Sequence, residues 1–251
     1  MEVGVGSWVR SGPASAGTSP GPVLAVDAST DVAAVAVGTP GGPVLVAPGG
    51  GPRRHGAGLV PSIRDLLRSA GLRPADLAAI GVGLGPGSFT GLRIGLAAAK
   101  TLAYAVGCPL YGLDSLEAIA GNAPADALKV AAVLDAQRGD LFAADFARDN
   151  PGGPLRRVGP TRIERADLWP DTLEPGTLVL GPPLGRAEPA WPARISRGGP
   201  DLGYPGGHVL IELTRARIDA GAEPESWFVE PAYVRRSAAE EKAEAAGRGL
   251  P

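Results

Sequence analysis

The sequence is short of the residues that build several common kinds of site. One cysteine, Cys108, among 251 residues excludes an intramolecular disulfide and a cysteine-rich zinc site, and it points to a reducing cytoplasm. Cys108 stands before Pro109 in an apolar run, a setting for a buried thiol rather than a nucleophile. The only histidines, His55 and His208, do not form an H-E-x-x-H pattern, so a helix-borne metal site has no support. No apolar run approaches the ~20 residues that span a bilayer. The opening MEVGVGSWVRSGPASAGTSPGP has no basic stretch followed by an apolar one, so it reads as a flexible leader over 1–21 and not as a secretory signal. Basic charge is not in excess either. A net charge of −2 and a pI of 5.8 exclude a protein that grips nucleic acid by bulk electrostatics.

What is present is a 44% hydrophobic chain, enough for one large domain or two lobes. VLAVDAST, DVAAVAVGTP and GPVLVAP predict three strands in a meander. Leu59, Ile63, Leu66, Leu67 and Ala70 recur at helical spacing, with Gly71 placed to stop the helix. LAAIGVGLG, FTGLRIGLAAAKTLAYAVG and CPLYGLD then predict a strand, a helix and a parallel strand. From residue 114 the pattern restarts, with a helix at SLEAIAG and a hairpin at KVAAVLDAQRGDLFAADFA. The hairpins VLAVDASTDVAAVAV and VAAVLDAQRGDLFAADF match, with Asp27 and Asp135 equivalent, which argues for an internal duplication. The expected organisation is α/β: a first lobe over 22–113, a second over 114–236, and a charged tail over 237–251.

The segment GLGPGSFTGLRIG between strand and helix is the candidate functional feature. A glycine-rich turn that opens a helix suits an anion, but Thr90 and Gly91 break the GxxxxGK[ST] pattern and Ser88 breaks GxGxxG. Pro86 stands where a GxSxG nucleophile elbow needs glycine. Close packing is the other reading. Gly91, Gly95, Ala98 and Ala99 make a narrow stripe, facing either the chain's own sheet or a helix of another chain. Asp27 and Asp135 either hold a metal–nucleotide between the lobes or cap their own hairpin turns.

GLGPGSFTGLRIGLAAAKTLAYAVGCPLYGLDSLEAIA, VLAVDASTDVAAVAVG, His55 with LVPSIRDLL, VLDAQRGDLFAADF and EPAYVRR together resemble the TsaB/YeaZ family of bacterial tRNA threonylcarbamoyladenosine synthesis, over about residues 22–236. The resemblance implies the duplicated two-lobe fold of the actin, Hsp70 and sugar-kinase ATPase superfamily. It also implies a non-catalytic relative of the transferase TsaD, which moves a threonylcarbamoyl group to the adenosine 3′ of the anticodon in tRNAs reading ANN codons. The implied partners are TsaD, as a heterodimer through first-lobe helices, and the ATPase TsaE, with tRNA reached only through the complex. The implied partner-binding residues are Ser88, Phe89, Thr90, Gly91, Arg93, Gly95, Ala98 and Ala99, and the vestigial nucleotide residues are Asp27 and Asp135. No metal, catalytic residue or cofactor of its own is implied, with ATP or ADP expected at the complex interface.

Two features fit a retired site: no second histidine lies in the helix around LVPSIRDLL, and Ala28-Ser29-Thr30-Asp31 has no glycine to admit a phosphate. One departs from the family, His55-Gly56-Ala57-Gly58 standing where relatives carry His-Ser-Glu. The alternatives are a self-sufficient ATP-dependent transferase or kinase using Asp27 and Asp135, and a homodimer through the same helix face.

Overall fold

β-branched and aliphatic runs separated by polar turns set the strands, and a computed structural model describes them over residues 9–13 (backbone only), 21–47, 58–182 and 188–235. In the first half, β2 (Val23–Asp27), β3 (Ala34–Gly38) and β4 (Pro43–Val46) form an antiparallel meander. β5 (Ala79–Gly83) joins β2 in parallel and β6 (Leu110–Leu113) joins β5 in parallel. Within the expected leader, Val9–Pro13 forms β1 and pairs antiparallel with β4, which satisfies backbone groups that an edge strand would leave open. The rest of 1–20, the loop with His55, and the tail 237–251 lie outside the described residues.

The second half repeats the plan. β7 (Lys129–Gln137), β8 (Asp140–Ala147) and β9 (Arg156–Arg165) form the meander, and β10 (Leu178–Leu180) and β11 (Ser196–Arg197) add in parallel on the other side of β7. The orders β4-β3-β2-β5-β6 and β9-β8-β7-β10-β11 are therefore the same arrangement used twice. This is the duplicated two-lobe α/β fold expected from the hairpins.

α1 (Leu59–Ser69) buries Leu59, Ile63, Leu66 and Leu67, the predicted face, and Gly71 follows it with φ at +69°. Its N-cap, Gly58, supplies no side-chain hydrogen bond, the local result of the Gly-rich departure. α2 (Phe89–Val106) is capped at Ser88, whose Oγ accepts from Gly91 N–H at 3.2 Å, and ends at left-handed Gly107. Together α1 and α2 seal one face of the first sheet around Leu24, Val26, Ile80 and Val82.

The opposite face is closed by α4 (Gly207–Asp219), through Leu210 and Ile211 against Val23, Ala25 and Tyr111. The division at 113/114 thus assigns residues 207–219 to the second half, whereas they pack on the first sheet. α3 (Ser115–Ala120) covers one face of the second sheet, and Trp169 and Leu173 cover the other.

Candidate functional site

The glycines of GLGPGSFTG are explained by what lies across from them. Gly85 and Gly87 have φ of +104° and +149°, conformations L side chains rarely adopt. A Cβ on Gly87 would stand 2.3 Å from the Ser29 carbonyl oxygen, and one on Gly91 would stand 2.1 Å from that of Ala28. Ser88 N–H donates to the Ser29 carbonyl at 2.7 Å. The loop and the first turns of α2 are therefore pressed onto the β2–β3 turn.

The residues expected to bind a partner divide between an inner and an outer face of α2. Gly91, Gly95 and Ala99 are buried, and a Cβ on Gly95 would lie 3.2 Å from Ala28 Cβ, so the stripe faces the chain's own hairpin and is closed to another chain. Ser88 and Ala98 are half-buried, while Phe89, Thr90 and Arg93 reach solvent. The outward face of α2 runs through Thr90, Arg93, Ala97, Thr101 and Tyr104, all exposed at successive helical turns. Counting small residues located the narrow face, but the partner it meets is Ala28, which helical spacing does not reveal.

An aromatic and cationic cluster continues the outward face at its start. The Arg93 guanidinium sits 3.7 Å from the Phe89 ring centroid, and its Nε–H donates to Tyr233 Oη at 3.1 Å. The Phe89 and Tyr233 rings are 5.3 Å apart. At the other end Tyr104, 76% exposed, meets the edge of Trp227 at 5.6 Å. Tyr233 belongs to EPAYVRR, a segment with no periodicity to signal its return onto α2.

Asp27 and Asp135 both cap their turns. Ser29 N–H donates to Asp27 Oδ1 at 2.7 Å, and Gln137 N–H donates to Asp135 Oδ1 at 2.6 Å. Their surroundings differ. Asp27 is 1% exposed, and its other oxygen accepts from Ser115 Oγ–H at 2.6 Å. Burial raises its carboxyl above the ordinary carboxylate value, against the lowering effect of the Ser115 and Ser29 hydrogen bonds, and Asp114 adds to the rise. Asp135 is exposed and lines a cleft of about 290 Å³ with Ser88, Phe89, Arg138, Tyr233 and Arg235. The two aspartates are thus not presented to one another across a common cleft, contrary to the metal–nucleotide alternative. Among the described residues no group of three His, Cys, Asp or Glu side chains is placed to hold a metal ion. Cys108 is half-buried, and burial pushes its thiol up, as suits an inert residue.

Comparison with known proteins places this geometry. Residues 35–151, from β3 to just past β8, match the family described as TsaD, tRNA N6-adenosine threonylcarbamoyltransferase. The chain is 37% identical over 103 residues to a tRNA threonylcarbamoyladenosine biosynthesis protein TsaB from Escherichia coli, covering 40% of this chain and 45% of that protein. It is 33% identical over 122 residues to the protein of the same description from Bacillus subtilis, covering 49% and 52%. The chain spans about half the length of the curated relatives it matches. The solved structure of YeaZ from Pseudomonas aeruginosa superposes with a TM-score of 0.69 at 27% identity, covering 85% of this chain and all of that one. Among the described residues no helix is long and apolar enough to cross a membrane.

Proposed function

The chain belongs to the TsaB/YeaZ family, and from that premise we propose that it is a non-catalytic subunit that pairs with a TsaD-type transferase in tRNA threonylcarbamoylation. In this reading the reaction modifies the adenosine 3′ of the anticodon in tRNAs reading ANN codons. The observation behind a non-catalytic role is the state of Asp27. It is the hairpin aspartate equivalent to Asp135, yet it is enclosed and both oxygens accept hydrogen bonds, from Ser29 and Ser115. A carboxylate held in this way has neither the exposure nor a free oxygen to meet a metal or a substrate.

Pairing is assigned to the outer face of α2, since the inner face is closed by Ala28. Thr90, Ala97 and Thr101 leave room for another helix to approach, and Arg93, Phe89 and Tyr104 offer the aromatic and cationic anchors typical of protein interfaces. In this reading the chain works in the cytoplasm, a TsaE-type ATPase engages the pair, tRNA is met only through the complex, and ATP or ADP binds at the shared interface.

Light-scattering mass on a size-exclusion column tests the proposal, with the chain alone and mixed with the TsaD homologue of the same organism. A one-to-one species is expected. Unmixed peaks at micromolar concentration, with and without ATP, would overturn it. Tight ATP binding by the isolated chain that is lost in Asp27→Ala would favour an independent enzyme.

A further inference from the structure

The two lobes are joined in the interior at their crossover. Ser115, on α3, donates to the buried Asp27, at the end of β2, at 2.6 Å, and beside it Asp114, the N-cap of α3, pairs with Arg157 of β9 within the second half at 2.6 Å. Two lobes joined at one crossover can open and close about it unless they are tied elsewhere. The cleft lies between the α2 start and the β7–β8 turn, and its walls are lined by residues 232–235 as well.

Those residues end a strap that leaves α4 on one face of the first sheet and returns on the other. Glu225 N–H donates to the Leu110 carbonyl at 2.8 Å, on edge strand β6. Lys100 Nζ, on α2, donates to the Val229 carbonyl at 2.6 Å. Ala232 N–H donates to the Leu84 carbonyl at 2.7 Å, and Tyr233 accepts from Arg93 while stacking on Phe89. To this point every anchor is in the first lobe. Arg235 then crosses to the second. Its Nη1 donates to the Ala136 carbonyl at 2.7 Å and the Gln137 carbonyl at 3.2 Å, and its Nη2 meets Asp140 Oδ2 at 2.8 Å. The side chains of this ion pair are 25% and 22% exposed, so the pair is largely sheltered from water.

We propose that residues 225–235 are an interlobe latch, fixing the separation of the two lobes from the cleft side without any ligand. The geometry gives the argument. The bonds of α3 to Asp27 and Gly85 hold the lobes together at the crossover, and the Arg235 contacts tie them a second time at the mouth of the cleft. Arg235 suits the task because one planar guanidinium satisfies two carbonyls and a carboxylate of the same turn. Around those carbonyls Gln137, at the register irregularity that follows Asp135, has φ of +65°, and Arg138 and Gly139, at +59° and +85°, make the two-residue turn. The latch also gives Tyr233 and Arg93 a second role, since they lie at once on its path and beside the outward face of α2.

The test uses the full chain with Cys108→Ser and spin labels at Ala97→Cys on α2 and Val158→Cys on β9, both exposed positions. The parent is expected to give one narrow distance distribution. Arg235→Ala should broaden it or add a second, longer population, and should speed amide exchange of residues 136–140 at least tenfold. Arg165→Ala, which removes the exposed pair with Asp167 near the same turn, should change neither. Tyr233→Ala, which removes the first-lobe side-chain anchor nearest Arg235, should shift the distribution in the same direction by a smaller amount and keeps the test open if one variant fails to fold. An unchanged distance distribution in both latch variants would overturn the proposal, even if exchange at the turn quickened, because the contact would then be local only.

Discussion

The two β-hairpins hold the same place in the two sheets and make the same bond from an aspartate to the amide two residues on, but they face different surroundings. The first turn is roofed by Gly87, Ser88 and Gly91, and its aspartate is sealed in. The second is a tight turn at the cleft, held by Arg235 from outside. Duplication supplied two equivalent turns, and packing has made one a foundation for α2 and the other a landing point for the strap.

That contrast can be broken most strongly at the roof. Gly91→Leu would drive side-chain atoms into the Ala28 carbonyl and is expected to cost about 3 kcal/mol or prevent folding. Gly139→Ala, at φ +85° with open space around its Cβ, should cost only about 1 kcal/mol. Urea melts of the two variants compare the turns directly. The next effect is at the aspartates. Asp27→Ala strands the buried Ser29 amide and Ser115 hydroxyl and should cost about 2 kcal/mol, against less than about 1 kcal/mol for the exposed Asp135→Ala. Equal losses would mean that the turns are not differentiated.

A smaller effect separates them by pH. Burial raises the folded-state value of Asp27, so over the interval above the ordinary carboxylate value the native state keeps a proton the unfolded chain has lost. The stability contributed by this group is full below the unfolded value and falls as pH rises through the folded one. Melting temperatures of Asp27→Asn relative to the parent should therefore move in the variant's favour as the pH rises above the ordinary carboxylate value. A difference that stays flat over that rise would show that Asp27 titrates alike in both states.

Much of this fold could be read from residue patterns. Alternation and turn residues gave β2, β3 and β4, and the spacing of Leu59, Ile63, Leu66 and Leu67 gave the buried face of α1. The hairpin match pointed to two equivalent sheets, and the Asx bonds of Asp27 and Asp135 follow from residue type and position. α4 was not read. Its buried face mixes Leu210 and Ile211 with Thr214 and Arg215, which are buried because Thr214 bonds the Leu210 carbonyl and Arg215 the Thr39 carbonyl. Polar residues satisfied in the core erase the periodicity that marks a helix. The strap was hidden for a related reason, because it is held by main-chain and single side-chain bonds that repeat at no fixed interval. The spacing of Gly91, Gly95 and Ala99 marks a narrow stripe but not its neighbour. Spacing shows that a helix face is narrow, and only tertiary structure shows that Ala28 fills it.

The central claim is that α2 has an inner face that builds the fold and an outer face that recruits the partner. Its most direct test is titration calorimetry of the parent and of Ala97→Arg against the TsaD homologue of the same organism, alongside the melting temperature of each. Ala97 is exposed, so the variant should melt with the parent while binding at least about tenfold more weakly. Unaltered affinity in a variant of parental stability would contradict the assignment of the outer face.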